Sequence, residues 1–374
     1  MNRTVKIKKI FEENKEKGRY IAYLEDSPFY PDGKGGQLGD RGKIDEARIL
    51  EVTKDSVVID KYLEIGNYTY KINEERREDI SKQHTAQHIL SAAFEEVASI
   101  KTLSFRMDNE YSTIDLDREF IDVQIFKKAE TLSNEIIARC IKVEEIITSI
   151  EDIKNYKLRK PLSQKISGDV RLIKIGDFDT SACGGFHVKN TGNINLIKIL
   201  NSEKIKGNLT RVYFVAGTRA LNDYSKKDRI FQKISQKLTS GIDELEKKIE
   251  NIIEENKESR NKIRKISEYA AFYLANELKK DAILINNKKV IYCEKENEAA
   301  DFLYKYVDLE EYILCIYDGE SKTITIFSKV INCKDFIEKL KKQKSLQGGG
   351  SQIRGNIKGD LKKEELLKEL ELYN

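Results

Sequence analysis

HTAQH at residues 84–88 and CGGFH at residues 183–187 contain His84, His88 and His187, the only three histidines in a chain of 374 residues. The first stretch lies inside REDISKQHTAQHILSAAFEEVAS (77–99), which reads as an amphipathic helix. Ile80, Leu90, Phe94 and Val97 fall near helical spacing, and Asp79 or Ser81 is placed to cap the start. Residues four apart share a helix face, so His84 and His88 can present two ring nitrogens to one point. Cys183 and His187 repeat that spacing around Gly184 and Gly185, in a loop flanked by strand-like VRLIKI and NINLIKIL. Three nitrogens and one sulfur suit tetrahedral zinc. An isolated HxxxH pair is a weak signal, and a lone cysteine is usually packing. That two paired motifs use every histidine favours one zinc ion per chain, held by His84, His88, Cys183 and His187.

The surroundings restrict the chemistry. Thr85 stands where an HExxH protease carries its glutamate base, and the HxE and CxxC elements of a nucleobase deaminase are missing. Four protein ligands close a tetrahedral shell. Either the ion ties together two distant segments, or a ligand moves or the shell expands when substrate arrives.

Outward from these motifs the chain reads as α+β. Residues 1–72 form a β-rich, barrel-like subdomain, with RYIAYLED and SVVIDKYLEIGNYTYKI as strands. Between them lies SPFYPDGKGGQLGDRG (27–42), a long Gly/Pro/Asp loop of the kind that more often carries function than not. Residues 73–217 form the α+β core with the zinc site. Residues 218–280 read as a long helical linker. Leu238, Ile242, Leu245, Ile249 and Ile252 step by fours and threes, Asn256 takes a seam position, and Ile263 and Ile266 resume. This seam reads equally as a helix packed on its neighbour and as a helical hairpin or homodimer contact. Ser240 is the expected N-cap, with Asp243 three residues on. Residues 281–374 form a small α/β domain ending in QGGGSQIRGNIKGD and a short charged helix.

Composition sets broader limits. With 39% hydrophobic and 35% charged residues the chain can build cores under a charged surface. A net charge of +4 permits a nucleic-acid partner without demanding one. No apolar run approaches bilayer length, and the N-terminus lacks the apolar core of a signal peptide. Five scattered cysteines argue for a reducing, cytoplasmic setting over a disulfide framework.

DSPFYPDGKGGQLGDRG (26–42), HTAQHILSAAF (84–94) and DTSACGGFHVKNTGNI (179–194) together resemble the editing domain of alanyl-tRNA synthetase and its stand-alone relatives, the alanyl-tRNA editing proteins. The likeness covers about residues 1–220. The tail resembles, less specifically, the DHH-associated domain that ends the synthetase. The resemblance implies a trans-editing hydrolase that cleaves the ester of mischarged tRNA(Ala), chiefly Ser-tRNA(Ala) and also Gly-tRNA(Ala). A pocket that accepts alanine cannot strongly refuse an analogue that adds only a hydroxyl, so a second site must do so. By the same resemblance His84, His88, Cys183 and His187 match zinc ligands, and Gly35, Gly36 and Gln37 match a pocket-lining GGQ segment. Ser27 falls where the family usually has threonine; its hydroxyl reads the serine side chain or simply bonds its own turn. Arg211 is kept from a substrate-contacting segment. Arg106, Lys34 and the missing His-Pro of the tail depart from the family pattern.

Basic residues suggest where RNA is held. Lys341, Lys342 and Lys344, with Arg354 and Lys358 in the Gly-rich tail, make a basic edge. YKLRKPLSQK (156–165) is a second basic stretch, read slightly in favour of a solvated lysine face. Competing functions are a non-catalytic, zinc-stabilised tRNA-binding protein and an editor of Ser-tRNA(Thr). The GGQ loop and Gly-rich tail favour alanine over threonine. A phosphodiesterase would need a histidine-rich site for which no histidine remains.

Overall fold

A computed structural model describes residues 3–14, 16–162, 168–343 and 346–373. The chain divides into two units, Met1–Gln232 and Lys233–Asn374.

The first unit opens with β1 (Thr4–Asn14), β2 (Arg19–Glu25), β3 (Gly42–Ile44), β4 (Ala47–Val52), β5 (Ser56–Ile59) and β6 (Gly66–Ile72). They close a barrel in the order β1-β2-β5-β4-β3-β6, with β6 pairing back on β1. Inward positions are aliphatic: Ile7, Ala22, Ile44, Ile49, Val57 and Ile59 fill the interior. Closure removes the open strand edges that a small sheet would otherwise expose. The 27–41 loop leaves the barrel between β2 and β3.

Next come α1 (Glu74–Ala98), β7 (Thr102–Met107), β8 (Ser112–Leu116), α2 (Val123–Ala138), β9 (Val143–Thr148), β10 (Val170–Ile175), β11 (Asp179–Ala182), β12 (Ile197–Ile205) and β13 (Leu209–Ala216). They make an antiparallel sheet β12-β13-β8-β7 and a smaller one β11-β10-β9. Leu90, Phe94, Ile114, Leu116, Ile173 and Phe214 join helices and sheets in one core.

Two details of α1 differ from the sequence expectation. Its N-cap is Asn73, whose side chain accepts from the Arg76 amide, so the helix begins a full turn before Asp79. Residues 83–94 are all buried, so the middle of the helix has no solvent face. The polar residues there misled the periodicity because they hydrogen-bond internally. Gln83, for instance, donates to the Ala216 carbonyl at 2.8 Å and accepts from its amide at 2.9 Å.

The helix α3 (Thr218–Leu238) runs across the division between the units, and α4 (Leu245–Lys280) belongs to the second. Ser240 does not cap α4: its hydroxyl turns to the Gly241 carbonyl, and a 3₁₀ turn at Ile242–Glu244 leads into the helix. Leu245 is buried, whereas Ile249, Ile252, Ile263 and Ile266 are exposed.

The remainder is β14 (Ile283–Ile285), β15 (Lys288–Glu294), β16 (Tyr312–Asp318), β17 (Thr323–Phe327), α5 (Cys333–Gln343), β18 (Gln347–Gly350), β19 (Arg354–Lys358) and α6 (Lys363–Glu371). The sheet order is β14-β15-β16-β17-β19-β18, parallel only between β15 and β16. Its two apolar clusters centre on Cys315, Ile326 and Phe336, and on Ile291, Leu303 and Leu314. The Gly-rich run forms the edge strand β18. One side of it is used in the ladder with β19.

Candidate metal centre

His84, His88, Cys183 and His187 converge, each offering one ligand atom, with those atoms within 4.8 Å of one another. Cys183 Sγ lies 3.4 Å from His84 Nε2 and 3.3 Å from His187 Nε2. Zinc bond lengths of about 2.0 Å to nitrogen and 2.3 Å to sulfur at a tetrahedral angle give an N···S edge of about 3.5 Å. The four groups can therefore hold a metal ion with little movement.

Hydrogen bonding prepares all three imidazoles in one tautomer. The Gln37 Oε1 accepts from the Phe186 amide at 3.0 Å, which fixes the amide orientation, because the backbone N–H can only donate. The same oxygen lies 2.7 Å from His84 Nδ1, so that nitrogen carries the proton. Thr85 donates its hydroxyl to the Ser81 carbonyl at 2.8 Å and accepts from the Val188 amide at 3.1 Å. It is left to accept from His187 Nδ1 at 3.1 Å. The buried carboxylate of Asp179 accepts from His88 Nδ1 at 3.0 Å. Every Nδ1–H is thus directed outward and every Nε2 faces the centre, the arrangement that orients metal-binding histidines.

The electrostatics match the ligand state at three of the four groups. Burial alone would raise the Cys183 thiol, but the imidazoles of His187, His84 and His88 outweigh it and bring its pKa down to about 2. Burial pushes His187 down to about 3 and also lowers His84. Burial opposes protonation of His88 as well, yet Asp179 and Cys183 draw it up to about 9. A thiolate is the state in which Cys183 binds a metal, and neutral imidazole that in which His84 and His187 do; His88, held protonated by Asp179 and the thiolate, must release its Nε2 proton as a metal enters.

Close approach explains one glycine of each pair, Gly185 and Gly36. A Cβ on Gly185 would overlap the His84 ring and Gln37 Oε1, so only glycine lets the loop close on α1. Gly36 has φ of 76°, and a Cβ there would meet the Phe105 carbonyl oxygen at 2.6 Å. Phe105 in turn stacks on His84, ring centroids 5.2 Å apart. The CGG turn is pinned by Arg171, which donates to the Cys183 and Gly185 carbonyls, both at 2.8 Å.

Beside the centre lies a cavity of about 390 Å³, lined by His84, His88 and Cys183 and by Gly35, Phe105 and Arg159, among others. No carboxylate lines it among the described residues. Gln37 is 1% exposed, and its Nε2 has no hydrogen-bond partner. Ser27 and Arg211 are not in the lining. Ser27 accepts from the Phe29 amide at 3.5 Å, the local turn bond. Arg211 is held by Asp115 at 2.8 Å on the sheet β8–β13. In the second unit Lys341 donates to the Gly348 carbonyl at 3.0 Å, and Lys342 and Lys358 are exposed. Arg354 lies over the Phe327 ring at 5.3 Å. Lys344 is outside the described residues.

Sequence reasoning missed Asp179 and Arg171, and it read Arg159 only as part of the basic stretch 156–165. In sequence Thr85 signals only the absence of a protease glutamate. Asp179 lies inside a quoted motif, but its partner is 91 positions away, with no local pattern to betray it.

Residues 170–213, which contain Cys183 and His187, match the family described as Threonyl and Alanyl tRNA synthetase second additional domain. The chain is 34% identical over 227 residues to Alanyl-tRNA editing protein Aarsd1 of Danio rerio, covering 59% of this chain and 55% of that protein. It is 32% identical over 273 residues to Alanyl-tRNA editing protein AlaX-L of Pyrococcus horikoshii, covering 65% and 66%. The chain belongs to the alanyl-tRNA editing family. Alanine--tRNA ligase of Buchnera aphidicola, 27% identical over 335 residues, is matched over 85% of this chain but 37% of the ligase. The chain thus spans between about a third and two thirds of the length of these curated relatives. No helix among the described residues is long and apolar enough to cross a membrane.

Proposed function

We propose that this protein is a trans-editing hydrolase that removes the amino acid from mischarged tRNA(Ala), chiefly serine and also glycine, in the cytoplasm. The observation that carries this reading is the convergence of His84, His88, Cys183 and His187 beside a cavity bordered by Gly35 of the GGQ segment. Family membership supplies the substrate class, since relatives are named as alanyl-tRNA editing proteins.

In this reading the four side chains hold one zinc ion, which when bound supplies a Lewis acid to the ester. The chain's own residues orient the rest. Gln37 fixes His84 through Oε1, while its Nε2 is a buried donor lacking a partner. Leaving such a donor unpaired costs about 1–3 kcal/mol. A substrate oxygen that reaches it relieves that cost, so Gln37 is assigned to the ester carbonyl. Ser27 and Arg211 are assigned to the serine side chain and to the substrate's outer contacts. Both assignments need these residues to approach the ligand from outside the lining of the cavity. Lys341, Lys342, Lys344, Arg354 and Lys358 are assigned to the tRNA body. The small α/β domain at 281–374 is read as the DHH-associated counterpart, and the exposed isoleucine row of α4 is offered to a second copy as a homodimer contact.

A second reading, a non-catalytic tRNA-binding protein with structural zinc, draws on the closed four-ligand set. An editor of Ser-tRNA(Thr) is also compatible with the matched domain, whose description includes threonyl synthetase. Deacylation assays on Ser-, Gly- and Ala-charged tRNA(Ala) and on Ser-tRNA(Thr), with and without chelator, separate these. Chelator-sensitive loss of serine from tRNA(Ala), with Ala-tRNA(Ala) spared, is expected. Binding without cleavage selects the second reading.

A further inference from the structure

The stretch 156–162 has no part in the reading above. In sequence it resembles an ordinary solvated lysine face, yet Arg159, Lys160, Pro161 and Leu162 line the same cavity as His84, His88 and Cys183. Two contacts hold it there. Arg159 donates from Nε to Asp179 Oδ1 at 2.6 Å, and Asp179 also receives His88 Nδ1 and the Ser181 hydroxyl. The Arg159 amide donates to the Thr180 carbonyl at 2.9 Å, which hangs the segment on β11. Lys160 then reaches across to β7, where its ammonium donates to the Leu103 carbonyl at 3.2 Å.

Arg159 and Lys160 differ in what they have left to offer. The Arg159 side chain is 12% exposed and committed to Asp179. Lys160 is exposed and has no carboxylate partner among the described residues. Its ammonium has three donors, and among the described residues one is used. With no acid in the lining among the described residues, this lip of the cavity favours an anion. An aminoacyl ester on the terminal adenosine of an RNA brings one of fixed position: the phosphodiester that joins that adenosine to the preceding nucleotide. Entry of the ester beside the metal centre carries that phosphate to the rim.

We propose that Lys160 contacts the phosphodiester preceding the terminal adenosine of the substrate RNA, and that Arg159, tied to the metal centre through Asp179, is the positioning residue that holds this lip. The inference rests on the RNA-ester reading of the cavity, and the experiment keeps the two apart by measuring binding as well as cleavage.

The test uses the full chain and a Lys160→Gln variant. A fluorescent acceptor-stem minihelix with a single-stranded 3′ end is titrated at several salt concentrations, and hydrolysis of seryl-minihelix is compared with that of seryl-adenosine, which has no phosphodiester. Lys160→Gln is expected to weaken minihelix binding by about 2- to 5-fold at low salt, the scale of one exposed charge contact, and to reduce the salt slope by about 1. KM for the seryl-minihelix rises, kcat stays, and seryl-adenosine hydrolysis is unchanged. Lys160→Arg restores the binding. If the wild type binds the minihelix but cleaves nothing, the binding data alone decide the lip assignment while the hydrolase reading fails. Unchanged affinity and salt slope in Lys160→Gln would overturn it. So would equal losses on seryl-minihelix and seryl-adenosine, which assign Lys160 to the Leu103 contact alone.

Discussion

The Nδ1 of His84 donates to Gln37 Oε1 at 2.7 Å across 47 positions of sequence, joining the Gly-Gly-Gln loop of the barrel to the central helix of the core. Because the Phe186 amide fixes the same oxygen, one glutamine ties together the GGQ loop, the HTAQH helix and the CGGFH turn.

Replacing Gln37 with leucine keeps the bulk and removes both amide functions. Zinc affinity is expected to fall by about 10–100-fold, the range for lost outer contacts to metal-bound histidine. Competition with a chromophoric chelator measures it. Wild-type affinity would show that His84 needs no such partner.

The two glycines of CGGFH should respond in opposite ways. Gly185→Ala drives a methyl into the His84 ring and Gln37, an overpacking expected to cost about 1–3 kcal/mol and to expel the metal. Gly184→Ala meets nothing within 4 Å and should retain zinc. Metal content and thermal melting of the two variants give the comparison, and equal behaviour contradicts the close approach at Gly185.

Cys183→Ala removes the sulfur ligand. Loss of bound zinc and of Ser-tRNA(Ala) deacylation is expected, with the second unit, Lys233–Asn374, still folded. Limited proteolysis and melting report the fold, and full activity in this variant refutes the zinc-site assignment.

Asp32 anchors the 27–41 loop. Burial works to raise its pKa, but Arg41 and the amides of Val52 and Gly39 outweigh burial and hold it below the ordinary carboxylate value. A lowered folded pKa means stability that is present above the unfolded value, about 3.9, and lost as pH falls through the folded value. Wild type should therefore exceed Asp32→Asn in melting temperature at neutral pH, and the gap should close on acidification below about pH 4. A gap independent of pH would assign the difference to hydrogen-bond geometry alone.

Much of the centre was legible because histidine is scarce. Three imidazoles in two four-residue spacings leave few arrangements, and the structure brings all three to the same sulfur. The mixed α+β character could likewise be read from alternation and turn residues, and the strands of residues 1–72 close into a six-stranded barrel. What the sequence hid was nonlocal. Asp179 and Arg159 acquire meaning only when β11 lies against α1, and Thr85 becomes an acceptor only once His187 folds over it. The buried polar residues of α1 looked like a solvent face because periodicity counts side chains and not their hydrogen bonds. Ser240 had the right spacing for a capping box, but the 3₁₀ turn at Ile242–Glu244 displaced the helix start.

Zinc-edge X-ray absorption on the purified protein, with elemental analysis of the same sample, tests the central claim most directly. The account predicts one zinc per chain, with one sulfur at about 2.3 Å and three nitrogens at about 2.0–2.1 Å. Less than stoichiometric metal after zinc reconstitution, or a first shell without sulfur, would contradict it.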